Sequence, residues 1–491
     1  MTRQASQPGP EQAVAPPEPA TGEDVPAGRS PEPGDEGHGG PAGLAAFRRR
    51  LRTLFPDDGG RTPAGWLVVI AAVGAAVAAL RLGRLGLDTL WAEDGEIFYA
   101  RTARAPVWSS LFQTYRGYLH AGPWALASIA TRFPVSWAAA AVAVADAVAL
   151  GALAAVVYCA ARPFIARWYL RLLPALFLVA CPVALETIGS IANLQWPLIF
   201  VAVLVLLWNP RRPAPLAVSC LVLLFATLSS PFGLLLGPLA VTRVAAFGRD
   251  RGSLPALVAL TGVAVQGYAM LTSPDGRTSY HQVAAGRLAR AFVEDAVGLP
   301  VRGVRFEPVT PLQAGLVALA AIGVAGLLVA LAGYPRRAAL AAVMLTGSLA
   351  LFAVPAVASG MTIGHPGGPR YYVAPAISVA FAVAALADAA WDGSGWRERA
   401  WRYAGGWRRQ LGRWQPAAAA LTAVLAGLLV LSTATSYRDT HNGREAVPGW
   451  SAGLAAAREA CARGARTAVI PISPPAPHHW QVELDCRSIG R

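Results

Sequence analysis

Long stretches of this chain carry almost no charge, and no other feature limits its fold as tightly. Gly65–Leu80, Val135–Ala161 and Thr310–Ala332 are apolar runs of 16 to 27 residues. About 20 apolar residues span the hydrocarbon core of a bilayer as a helix. In lipid only helices and closed barrels satisfy their own backbone, and these runs lack the alternation of a barrel strand. The chain therefore reads as an all-α polytopic membrane protein. Composition agrees. Of 491 residues, 55% are hydrophobic and 14% charged, against about 25% charged in soluble domains.

Eleven spans fit the hydropathy, at about 64–81, 136–160, 170–184, 196–208, 214–228, 231–246, 254–272, 311–333, 338–357, 371–390 and 416–435. The third to sixth are short and are split by Asn193–Pro197 and Ser229–Pro231. Net charge is +14, and Arg occupies every Lys-or-Arg position. These arginines gather in short loops: Arg48–Arg52, Arg162 and Arg167, Arg211 and Arg212, Arg243 to Arg251, Arg336 and Arg337, and Arg397 to Arg413. All six fall on one side of the eleven-span topology, as the positive-inside rule requires of cytoplasmic loops. The reading is a multi-pass protein of the cell membrane, N-terminus cytoplasmic and C-terminus extracytoplasmic.

Outside the spans, residues 1–43 are rich in Pro, Gly and acids and read as a disordered cytoplasmic tail. The transmembrane region is 44–435, with long outside loops at 82–135 and 273–310. Residues 391–415 interleave Trp391, Trp396, Trp401, Trp407 and Trp414 with arginines. That pattern predicts an amphipathic segment on anionic inner-leaflet lipid rather than a nucleic-acid surface. Residues 436–491 read as a small extracytoplasmic α/β appendage, with a helix over Trp450–Arg463 and a strand over Thr467–Ile472. Cys461 and Cys486 are the two cysteines outside the spans, and in an oxidising compartment they are expected to pair. No Cys/His spacing suggests zinc.

The densest chemistry lies just after the first span. Asp88, Glu93, Asp94 and Glu96 place four carboxylates within nine residues. The plain reading is that Asp94 caps a surface helix through Tyr99. Arg370-Tyr371-Tyr372 opens the tenth span on the same side, and Arg binds two phosphate oxygens with its planar fork. The plain reading there is an interfacial anchor. Asn193, Gln195 and Trp196 could bond and stack a sugar ring, or be helix ends and belt. Arg116, Tyr118 and His120 are weaker candidates, and Asp146 is an acid within a span.

The layout resembles the GT-C superfamily of membrane glycosyltransferases. Glu93-Asp94-Gly95-Glu96-Ile97-Phe98-Tyr99-Ala100 is similar to that superfamily's acid pair in the first extracytoplasmic loop, although here the pair is Glu-Asp. The resemblance implies transfer of a sugar from a polyprenyl-phosphate donor to an extracytoplasmic acceptor. Asp94 would be the catalytic base with Glu93 assisting, and Arg370, Tyr371, Tyr372, Asn193, Gln195 and Trp196 would bind substrate. A divalent cation, Mg or Mn, could be held by Glu93, Asp94 and Glu96. The alternatives are a transporter or lipid flippase, or a non-catalytic membrane protein of the same fold.

Overall fold

The computed structural model describes residues 41–58, 60–104, 107–274, 283–304, 308–359, 369–392, 414–437, 444–475 and 479–489. Most of the expected N-terminal tail and of the Trp/Arg segment at 391–415 lies outside the described residues. Contacts divide the chain into Met1–Ala45 and Ala46–Arg491, and the second unit holds the helical bundle.

Among the described residues, seven helices are long and apolar enough to cross a membrane. They correspond to α1 (Ala64–Leu87), α3 (Ala138–Ala160), α8 (Leu254–Thr272), α9 (Pro311–Leu331), α10 (Pro335–Ser359), α11 (Val373–Ala390) and α12 (Gln415–Ser436). The four short spans expected between them are helices too: α4 (Trp168–Ala180), α5 (Gln195–Leu207), α6 (Pro213–Ser229) and α7 (Gly237–Phe247). A shorter helix, α2 (Ala121–Ala130), precedes α3. At 1.5 Å per residue, α5 reaches only about 20 Å.

Proline sets these interruptions. Cys181 and Ser230 each precede a proline and have extended backbones (ψ 137° and 134°), as the ring of the following proline demands. α4 and α6 end there, and 3₁₀ turns at Pro182–Ala184, Ile191–Leu194 and Pro231–Leu236 follow or precede the next helix. Irregular backbone at that depth is tolerated where protein covers it. Here it is covered, since Cys181–Ala184 and Ile188–Leu194 are buried.

Burial sorts the helices into centre and rim. Every residue of α11 is buried, as is almost all of α5, whereas only 28% of the apolar window of α1 is. Small side chains let α11 sit among its neighbours: Ala fills much of Val373–Ala390, and small residues permit close helix approach. α1 packs against α3 at a glycine pair, with the Gly151 Cα only 3.1 Å from where a Cβ on Gly74 would stand.

The described arginine loops meet at one end of the bundle. Arg52 pairs with Asp250, Arg211 with Asp57, and both Arg167 and Arg337 with Asp388. Buried Arg243 donates to the carbonyls of Leu206, Trp208 and Gly252. α1 leaves this end and arrives at the acidic loop, while α11 returns from Arg370 to Asp388. Acids and Arg370 thus share the other end.

The tail folds as its pattern suggests. Helix α13 (Trp450–Ala462) packs on an antiparallel pair, β3 (Thr467–Pro471) and β4 (Gln481–Asp485). β1 (Thr114–Tyr115) and β2 (Tyr118–Leu119) form a separate small hairpin. Cys461 and Cys486 are bonded as a disulfide with Cα atoms 5.5 Å apart, inside the reach of such a bridge.

Candidate functional site

The acidic loop is held in place by the tail. Asp88 accepts the Ser451 backbone N–H at 2.9 Å and the Ser451 hydroxyl at 2.6 Å, and so caps α13. Trp91 and Ser473 form a parallel bridge. Beside that bridge Ala92 takes φ 39°, a left-handed value that a non-glycine residue holds only under restraint. Glu96 accepts the Gln481 N–H at 3.0 Å. The tail, read from sequence as a small α/β appendage, is therefore joined to the acidic loop at several points.

Asp94 does not cap a surface helix. It opens a π-helical turn, Asp94–Tyr99, and has no exposed surface. Its Oδ1 accepts the Ala192 N–H at 2.8 Å, and its Oδ2 is buried without a partner. Burial, with Asp146 and Glu93 nearby, pushes its carboxyl well above the usual range. Glu93, one residue earlier, is only half-buried.

The segment 186–194, between α4 and α5, is the hub. Asp146 Oδ2 accepts the Gly189 N–H at 2.7 Å. From the tail, buried Arg444 donates to the carbonyls of Ile188 and Gly189 at 3.2 and 3.1 Å and to that of Thr89 at 3.2 Å. Its guanidinium lies over the Trp91 ring, 5.1 Å from the centroid. Burial draws Arg444 down to about 10, opposed by Asp94, Asp146 and Glu186. Its guanidinium is thus bonded to backbone carbonyls, with Asp94, Asp146 and Glu186 near enough for their charges to act on it.

Arg370 closes the site from the far side. Its Nη1 lies 2.7 Å from Oε1 of Glu186. Burial pushes the Glu186 carboxyl up and Arg370 pulls it back. The charge of Glu93 reaches both Glu186 and Arg370, and also Tyr115, Arg116 and Tyr118. Glu93 and Arg370 therefore belong to one electrostatic neighbourhood, and both keep some surface.

The other sequence candidates divide. Tyr371 lies under Arg370 at 5.4 Å and against Trp196 at 4.5 Å. Tyr372 turns to Asp295 and Phe352. Trp196 is packed between Tyr371 and Phe232 and is 4% exposed, so it is wall rather than an open stacking face. Asn193 spends its amide on Glu186 and Ser190, and Gln195 bonds Tyr118 and the Ala192 carbonyl. His120 is buried among Phe98, Tyr115 and Tyr118, and burial lowers it to about 3, so it is neutral.

The metal site considered for Glu93, Asp94 and Glu96 is not assembled, because Asp94 is turned to Ala192 and Glu96 to Gln481. Among the described residues no three His, Cys, Asp or Glu side chains group as ligands. Glu186 and Arg444 were not singled out from sequence. Each lies in a polar stretch whose partners are far along the chain. Set against family models, curated proteins and solved structures, the chain matches none.

Proposed function

We propose that the protein is a GT-C-like membrane glycosyltransferase that uses a polyprenyl-phosphate-linked sugar and works on the extracytoplasmic side. One observation carries the reading: Glu93 and Arg370, from distant parts of the chain, lie at one end of the bundle where the charge of Glu93 acts on Arg370, and both are only partly buried. Arginine-rich loops collect at the other end, which fits a cytoplasmic face. The Cys461–Cys486 disulfide fits an oxidising compartment for the tail.

In this reading Glu93, not Asp94, is the base, because a base must touch the acceptor and Asp94 has no surface. The acceptor hydroxyl attacks the anomeric carbon and its proton passes to Glu93. The bond from that carbon to the phosphate oxygen breaks, and the electron pair leaves with the polyprenyl phosphate, beside Arg370. A single displacement inverts the anomeric centre. Asp94 fixes the loop by its bond to Ala192.

A transporter or flippase is the second reading, favoured by the interrupted helices around the buried Asp146. Protein reconstituted in lipid with a polyprenyl phosphosugar separates the two. Consumption of the donor with transfer supports the enzyme. Movement of the intact lipid across the bilayer without chemistry supports the transporter.

A further inference from the structure

We propose that Glu186 is the resident anion of the Arg370 site: its carboxylate holds the guanidinium until the phosphate group of a ligand displaces it. This rests on Arg370 as phosphate clamp. The carboxylate is built to be exchanged. Its contact with the Arg370 guanidinium runs through one nitrogen, Nη1, at 2.7 Å, and the Arg370 backbone N–H bonds it separately. Its second oxygen, Oε2, is buried without a hydrogen bond. The backbone beneath it is fixed separately, because Asn193 Nδ2 donates to the Glu186 carbonyl at 3.2 Å and to Ser190 Oγ at 3.0 Å. The side chain can therefore release Arg370 while the hub segment stays in place.

Charge points the same way. Glu93 disfavours the charged form of Glu186 and favours that of Arg370, so the charge of a second carboxylate acts on the same guanidinium. A phosphate group offers several oxygens to the Arg fork and can bind it with two bonds where Glu186 makes one. Glu186 then acts as an internal competitor. It keeps a partly buried cation compensated when no ligand is bound and lowers the affinity for phosphate ligands. Loss of such a cation's partner without replacement would be costly.

The test is binding to the full chain in lipid nanodiscs, with a polyprenyl monophosphate and inorganic phosphate as separate probes. Glu186→Gln keeps size and removes charge. It should tighten phosphate binding by roughly 10- to 100-fold, the equivalent of one charge-assisted hydrogen bond. Glu186→Asp shortens the reach and should tighten it less; it carries the test if the amide variant fails to fold. A gain limited to the polyprenyl probe identifies a lipid headgroup, and an equal gain for inorganic phosphate identifies a free phosphate as sufficient. Unchanged or weaker binding in the Glu186 variants overturns the proposal and leaves Glu186 as a structural pin for Arg370. Arg370→Ala binding as tightly as the unaltered chain sinks the clamp itself, and the proposal with it. Tighter binding in Glu186→Gln without any sugar transfer leaves the exchange standing and removes only the enzymatic reading.

Discussion

The Asp94 carboxylate accepts the Ala192 N–H at 2.8 Å from a position with no exposed surface. Its second oxygen has no partner, and burial raises the carboxyl well above its usual range. A raised folded-state value means that folding favours the protonated form. The associated stability is complete below the unfolded value, about 4, and is lost as pH rises through the folded value. Asp94→Asn keeps an oxygen for Ala192 and does not titrate. Its melting temperature in detergent should gain on the unaltered chain as pH climbs from 4. A difference that stays constant across pH would show that Asp94 is not the titrating group.

Asp88 ties the tail to the acidic loop through Ser451. Asp88→Ala removes a helix cap, worth about 1 kcal/mol. Hydrogen exchange over Trp450–Ala462 should speed up, with little change in α1. Equal protection in both proteins would make the cap dispensable.

The disulfide closes a segment with a sequence separation of 25, and such a loop contributes about 3–4 kcal/mol in the chain-entropy account. Cys461→Ser should loosen the tail to protease while leaving the helices intact. Without reduction, mass spectrometry should find Cys461 joined to Cys486 and alkylation at Cys159, Cys181 or Cys220. Alkylation of Cys461 in the native, unreduced chain would refute the pairing.

At the α1–α3 contact, a Cβ on Gly151 would strike the Ala71 carbonyl and come within 2.7 Å of the Ala75 nitrogen. Gly151→Leu should therefore cost about 3 kcal/mol or more and lower the yield of monodisperse protein. Gly323→Leu is the control, since nothing lies within 4 Å of a Cβ there. Equal yields would mean that the two helices are not closely packed.

Hydropathy made the apolar helices legible, and Ser229–Pro231 marked one of the breaks, but the break at Cys181–Pro182 fell inside the span read as 170–184. Hydropathy did not rank the helices. α1 and α11 have similar mean hydropathy, 2.1 and 1.9, yet the α11 window is 100% buried and that of α1 28%. Apolar residues look alike whether they face lipid or protein. Within the site, Glu93 and Arg370 stood out because acids and Arg beside apolar runs are conspicuous. The burial of Asp94 did not, because it depends on Ala192 and on a tail whose Ser473 lies 379 residues (473 − 94) further along the chain. Glu186 and Arg444 were hidden for the same reason. Their partners come from other elements, and no local pattern records them.

The separation of roles between neighbouring acids bears most directly on the central claim. Donor consumption would be measured in lipid with a polyprenyl phosphosugar, comparing the unaltered chain with Glu93→Gln, Asp94→Asn and Arg370→Ala. Glu93→Gln should lower turnover by about 10²–10⁴-fold, the usual cost of a lost general base, without weakening donor binding. Asp94→Asn should retain most of the activity, and Arg370→Ala should lose binding and rate together. Full activity in Glu93→Gln, or loss confined to Asp94→Asn, would contradict the assignment of Glu93 as base opposite Arg370.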